Sequence, residues 1–300
     1  MPFSENQLNT WANQGAMVSS VNTYNSIKTC IEGNNWNNDI YYSIYLQGSY
    51  RNSTNIIGDS DVDVVVEFSS TFHSNIHELP PEQLKEYNEY FPNSKYTLGS
   101  FTTAIVERLK HYYGDAYVKV GNKSIKVLGN SGRLDCDVIC CAEYREFKSF
   151  SKTNTNDCVK GIVFWTTNTK EKVVNFPKSH YDNGIEKNKN CSTNYKPSIR
   201  IIKNMKSRMT DKGLLISSLA PSYFIECLMY NVTNNNYCHD KYHDIIVALL
   251  TTFYNYSDSE LNKFVCQNYR RCLFGSTSQQ WNIDNCKKFI SEIIKFWNNG

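Results

Sequence analysis

Gly48-Ser49-Tyr50-Arg51-Asn52-Ser53-Thr54-Asn55-Ile56-Ile57-Gly58-Asp59-Ser60-Asp61-Val62-Asp63-Val64-Val65-Val66-Glu67-Phe68 is the stretch that decides the fold. Its second half predicts a strand, because β-branched residues suit a pleated surface. Side chains at i and i+2 of a strand share a face. Asp61 and Asp63 therefore project together, while Val62 and Val64 turn to the core. Two carboxylates this close repel unless a cation lies between them. Hard oxygen donors of this kind suit Mg²⁺. Gly48 and Ser49, separated from Asp61 by eleven residues, offer a turn at which backbone N–H groups can meet phosphate oxygens. Arg51 adds a charge-assisted donor.

A two-metal reaction needs a third carboxylate. Leu134-Asp135-Cys136-Asp137-Val138-Ile139 offers two, again at i and i+2 of a strand. Asp137 is preferred, because it precedes an apolar run as Asp63 does; Asp135 is the second choice. Two ions about 3.5–4 Å apart would clamp the attacking and leaving oxygens of an in-line displacement. Alone, a D-x-D strand is commonly a solvated edge, and a Gly-Ser turn is commonplace. The ordered combination is specific for nucleotidyl transfer.

Outward from this stretch, Ser4-Glu5-Asn6-Gln7 has the S-x-x-Q form of a helix start. Val21, Tyr24, Ile27 and Ile31 keep helical spacing. Strands are expected at 40–47, 61–68, 116–120, 124–128 and 133–141, with a hairpin over 160–176. Residues 82–113 read as helical with a break near Pro92, and Phe101, Ile105, Leu109 and Tyr112 mark the buried face of the second part. Helices near 195–210, 219–231, 239–255 and 281–298 follow. The pattern predicts an α+β fold: a nucleotidyltransferase palm with a mixed sheet and an N-terminal helix over residues 1–177, a helical lobe over 178–300, and a cleft between them.

Composition narrows the class. A chain of 300 residues can bury a core without staples. Its net charge of +3 is low for a dedicated duplex-DNA binder. No run approaches about 18 uncharged apolar residues, and the first residues lack a signal-peptide pattern, so a cytoplasmic protein is expected. The eleven cysteines form no CxxC pair. Cys136, Cys140 and Cys141 read as small buried residues of a strand. Cys238, His239 and His243 are the one zinc-like grouping, with the histidines at i and i+4 of an expected helix. No second pair follows at finger spacing, which disfavours zinc.

The 48–66 stretch closely resembles the bacterial cGAS/DncV-like nucleotidyltransferases, or CD-NTases, which make cyclic oligonucleotide signals in anti-phage defence. The likeness continues through Asp137-Val138-Ile139-Cys140-Cys141, Phe176 to Gly184, Tyr195-Lys196 through Lys203-Asn204, and Pro221 to Cys227. It covers about residues 40–230. The resemblance implies that Asp61, Asp63 and Asp137 are catalytic and hold two Mg²⁺ ions, with Mn²⁺ as an alternative. It implies that Gly48, Ser49, Lys203 and Ser222 bind the donor triphosphate and that Tyr223 stacks on its base. Read without it, Lys196, Arg200 and Lys203 form a helical stripe whose bland reading is a solvated basic face. Likewise, Tyr223 alone reads as a core aromatic. Pro221 suits the first turn of a helix, placing Ser222 where free N–H groups attract anions.

Base choice is less legible. The amide of Asn168 offers both donor and acceptor to a base edge, though a turn role before Thr169-Lys170 is the simpler reading. Gln279-Gln280-Trp281 has a Q-x-W form associated with pyrimidine-selecting members, or else starts a helix. No Cys/His insertion of the DNA-gripping kind is present, so duplex DNA is not an expected activator. The terminal Gly300 fits conjugation to another protein, as in some members. The leading expectation is a cyclic dinucleotide synthase that joins two NTPs, uridine or other pyrimidine nucleotides among them, and whose product is read by a downstream effector. Two rivals stand beside it: transfer of one nucleotide to a small molecule, RNA end or protein, and a catalytically silent nucleotide-binding scaffold.

Overall fold

The computed structural model describes residues 3–15, 17–58, 61–92 and 94–299. Gly300 lies outside them. The elements in chain order are α1 (Glu5–Ala12), α2 (Met17–Glu32), β1 (Tyr42–Leu46), α3 (Gly48–Asn52), β2 (Asp61–Ser74), α4 (Pro81–Tyr90) and α5 (Leu98–Tyr113). Then come β3 (Val118–Val120), β4 (Ile125–Val127), β5 (Asp135–Phe147), β6 (Cys158–Trp165) and β7 (Lys172–Asn175). The chain ends in α6 (Pro177–Asn190), α7 (Tyr195–Asp211), α8 (Ser222–Tyr230), α9 (Tyr242–Asn255), α10 (Asp258–Leu261) and α11 (Ile283–Asn299). No described helix is long and apolar enough to cross a membrane.

The chain forms two compact units. One comprises Met17–Gln47 and Ser60–Pro177, and the other Met1–Ala16, Gly48–Asp59 and Lys178–Gly300. The division differs from the 1–177 lobe read from sequence in two places: α1 and the segment carrying Gly48 and Ser49 join the helical unit. For α1 the reason is packing. Leu8 and Trp11 are buried in the same cluster as α7 and α9 residues.

Among the described residues, the first unit is built on a seven-stranded mixed sheet in the order β1-β2-β5-β4-β3, with β6 and β7 continuing from β5. The central pair, β2 and β5, is parallel. Val62, Val64, Val66 and Phe68 are fully buried, as the alternation predicts. Phe101 of α5 stacks on Phe68 at 4.5 Å, with Ile105 and Leu109 buried one and two turns on. Tyr112 does not share that face; it is 48% exposed. Val21 of α2 is also exposed, while Ile27 and Ile31 are buried. Both central strands run further than expected, to Ser74 and Phe147.

The second unit is helical around one apolar cluster. Ser4 caps α1 by accepting from the Gln7 N–H at 3.2 Å. The helix α6 was not legible as one, since its buried residues are only His180 and Gly184. At Gly184 a Cβ would come within 2.5 Å of the Gln267 amide and push it from its bond to His180 O. His239 precedes α9, which starts at Tyr242, so His239 and His243 do not share a helix as the spacing suggested. The Q-x-W segment likewise ends before α11 begins at Ile283.

Candidate active site

Strand register builds the carboxylate face. Asp63 lies directly opposite Asp137 across the parallel β2–β5 pair, and Asp61 lies opposite Asp135. Register partners in adjacent strands share a face, so all four project from one side of the sheet, near the strand starts. They are not equivalent. The Lys126 ammonium sits 3.0 Å from Asp61 and 3.3 Å from Asp135. Asp135 also accepts the Gly129 N–H at 2.7 Å. That bond, with Lys126 second, holds the Asp135 carboxyl below the usual carboxylate range. Asp137 accepts the Ser124 hydroxyl at 3.0 Å. Asp135 is thus tied to its own loop, while Asp137 faces Asp63.

The donor set fits a hard divalent cation: oxygen ligands only, half-exposed, on one rigid face. Among the described residues, no three His, Cys, Asp or Glu side chains converge closely enough to hold an ion. Lys126 supplies positive charge among the carboxylates through its contacts to Asp61 and Asp135. A hollow of about 1020 Å³ in the same unit has Val138 and Cys140 in its lining. Those residues alternate with Asp137, so the hollow lies mainly behind the aspartates and borders them through Ser124.

The other unit holds a buried polar knot. Gly48 opens α3 with φ of 65°, a conformation natural to glycine. Ser49 O accepts the Thr54 N–H at 2.9 Å. The Thr54 hydroxyl donates to Glu226 at 2.6 Å, and the Asn52 amide donates to the same carboxylate at 3.1 Å. His180 Nε2 lies 2.9 Å from it. Burial alone would raise the Glu226 carboxyl; His180, Lys203 and Thr54 outweigh it and hold the group below the ordinary range. Lys203 is 3% exposed and donates to Thr54 O at 2.9 Å. Arg200, 8% exposed, donates to Ala12 O and Ser53 O, and burial lowers it to about 10. The basic stripe on α7 is therefore no solvated face at these two positions.

The remaining sequence candidates are placed as follows. Arg51 is exposed and lies 4.1 Å over the Tyr181 ring. Ser222 is the exposed first residue of α8, after Pro221. Tyr223 stacks on His180 at 5.0 Å and on Trp281 at 5.8 Å. Gln279 accepts from Arg271, and Gln280 donates to Phe274 O at 2.9 Å. These two glutamines thus shape a loop, and Trp281 backs Tyr223. Asn168 sits in the exposed turn after β6, its N–H donating to Asn122 Oδ1 at 2.9 Å. That is the turn role.

Residues 182–298 match a model of the cGAS/DncV-like nucleotidyltransferase C-terminal helical domain. The chain is 38% identical over 301 residues to the cyclic nucleotide synthase CdnE01 of Staphylococcus haemolyticus, covering 99% of each. This chain belongs to the cGAS/DncV-like nucleotidyltransferases. The nucleotidyltransferase is also 36% identical over 297 residues to the cyclic UMP-AMP synthase of Rhodothermus marinus, covering 99% of this chain and 98% of that protein. The solved structure of the R. marinus CdnE c-UMP-AMP synthase with Apcpp and Upnpp superposes with a TM-score of 0.88 at 35% identity, covering 99% of this chain and 97% of that one. CdnE from Elizabethkingia meningoseptica, solved with GTP and Apcpp, gives 0.79 at 27% identity, covering 98% of each chain.

Sequence reasoning gave no role in this nucleotidyltransferase to Asn52, Thr54, His180 or Glu226. One signal was available. Glu226 is the one charged residue in the otherwise largely apolar run Ser222–Tyr230, and a buried charge requires partners.

Proposed function

We propose that the chain is a cyclic dinucleotide synthase that joins two nucleoside triphosphates at Asp61, Asp63 and Asp137. The observation that carries this reading is the facing pair Asp63 and Asp137, in a chain related over its whole length to cyclic nucleotide synthases. A sugar hydroxyl of one nucleotide attacks the α-phosphorus of the other. The new P–O bond forms as the bond to pyrophosphate breaks, and the hydroxyl proton passes to Asp137. The linear intermediate then turns over, and the same three aspartates serve the second bond, which closes the ring. Bound at these aspartates, two Mg²⁺ ions would activate the attacking hydroxyl and neutralise the departing pyrophosphate.

Gly48 and Ser49 receive the donor phosphates, with Arg51 and Ser222 adding donors, and Tyr223 carries the donor base. Lys203 acts behind them: its ammonium is committed to Thr54 O, so it shapes the phosphate segment from beneath. Asn168 remains a candidate for contact with the second base. UTP is assigned as one substrate, on the 36% likeness to a cyclic UMP-AMP synthase. The product would be a cytoplasmic signal in phage defence, read by a separate effector.

The test is product identification. Purified protein with Mg²⁺ and each labelled NTP pair should yield a phosphatase-resistant product with the mass of a cyclic dinucleotide. A product that always stays attached to another acceptor, or no product from any pair, would overturn the reading.

A further inference from the structure

We propose that Glu226 and His180 are positioning residues that clamp the donor-phosphate segment through Asn52 and Thr54. The inference rests on the assignment of Gly48 and Ser49 to the donor phosphates. The route from Glu226 to Ser49 is short. Glu226 Oε1 holds the Thr54 hydroxyl, and the Thr54 N–H holds Ser49 O. Oε2 holds the Asn52 amide and faces His180. Lys203 fixes the carbonyl of the same Thr54.

The segment needs such holding. Ser53 has φ of 59°, a conformation that a residue with a side chain adopts only at a cost. Arg200 secures its carbonyl from a third direction. A buried, hydrogen-bonded carboxylate adds little net stability compared with an apolar group of equal volume, but its bonds are directional. Direction is what a phosphate cradle requires, since donors already held in the bound arrangement are spared the cost of being ordered on binding, which appears as affinity. The clamp also reaches the base. The His180 ring that faces Glu226 stacks on Tyr223 within 24° of parallel. One carboxylate thus ties the phosphate segment to the aromatic platform.

Thr54→Val and Thr54→Ser in the full chain decide the matter, with Glu226→Gln beside them. Valine keeps the shape of threonine and removes the hydroxyl; serine keeps the hydroxyl. Binding of inorganic tripolyphosphate and of ATP is measured by calorimetry with Mg²⁺, alongside initial rates and melting temperature. Thr54→Val and Glu226→Gln should weaken both ligands about tenfold and raise KM in step, the loss of about one hydrogen bond to a charged group. The kcat should change by less than about threefold, and Thr54→Ser should restore affinity. If Glu226→Gln does not fold, the threonine pair decides alone. Folded Thr54→Val protein with wild-type affinity, or a loss in kcat alone, overturns the clamp. Wild-type protein that binds tripolyphosphate through the clamp yet makes no dinucleotide sinks the synthase reading and leaves the clamp standing.

Discussion

The aspartate face and the Glu226 knot both set carboxylate charge beside a cation, four groups in the first and one in the second, and they use the charge differently. On the sheet, Lys126 bridges Asp61 and Asp135 from a half-exposed position. An ammonium on a flexible stem in that setting can swing away, leaving oxygens free for an incoming ion. In the helical unit, Glu226 is 3% exposed, and both its oxygens are bonded to fixed partners. A buried charge so committed cannot exchange partners without a large penalty. The first arrangement suits chemistry and the second suits positioning. Substitutions in the two regions should therefore separate catalysis from folding.

The largest effect on activity is expected at Asp63. Asp63→Asn should lower product formation by about 10²–10³-fold or more, the range seen when a preorganised electrostatic partner is removed. Its melting temperature should hold or rise slightly, because a like-charge neighbour of Asp61 and Asp137 is gone. Product yield and a thermal melt check this together. Equal activity of the variant and wild type would move the chemistry off this face.

In the knot the order reverses, and stability should fall first. Glu226→Ala leaves Lys203 without its buried counter-charge and the Thr54 hydroxyl without its acceptor, a class of change that costs about 3–5 kcal/mol. The pH dependence has a definite sign. The folded Glu226 carboxyl is held below its ordinary value, so its stabilisation is fully present above about pH 4.3. It is lost as pH falls through the depressed folded value. The groups facing it are His180 from α6, and Lys196, Tyr195 and Lys203 from α7. Urea midpoints measured from pH 7 to 3 should fall more steeply for wild type than for Glu226→Gln. Parallel curves would remove Glu226 from the acid response.

The two regions also differed in how far their sequence announced them. Asp61 and Asp63 were legible because a strand has a period of two, and Val62 to Val66 left no other reading of the segment. Asp137 was legible as the preferred of two choices, by its place before an apolar run; register sets it opposite Asp63, as it sets Asp135 opposite Asp61. The knot draws on four separated stretches, at 52–54, 180, 203 and 226, and no local period links them. Lys203 shows the consequence. Its place in a basic stripe suggested solvent or phosphate, and the fold buries it against a backbone carbonyl. Asn168 sits in the turn before Lys170, whose φ is 55°, and that much its local sequence announced. The grouping of residues 48–59 with the helical unit depends on those same long-range bonds, which no stretch of sequence displays.

The smallest expected effect sharpens the comparison within the aspartate face itself. Asp135 and Asp137 are two residues apart on one strand and share a face, so distance along the chain cannot rank them. Their partners can. Asp135 accepts the Gly129 N–H and meets Lys126, and an asparagine carbonyl could still accept the first of these. Asp135→Asn should therefore retain activity within about tenfold of wild type, a loss of the size expected when a group supporting a metal ligand is changed. Asp137→Asn should fall as far as Asp63→Asn, because Asp137 alone lies opposite Asp63. Initial rates of the two variants at saturating Mg²⁺ measure the difference. If Asp135→Asn proved the more damaging, the third catalytic carboxylate would be Asp135, and the pairing that matters would be Asp61 with Asp135 around the position now held by Lys126.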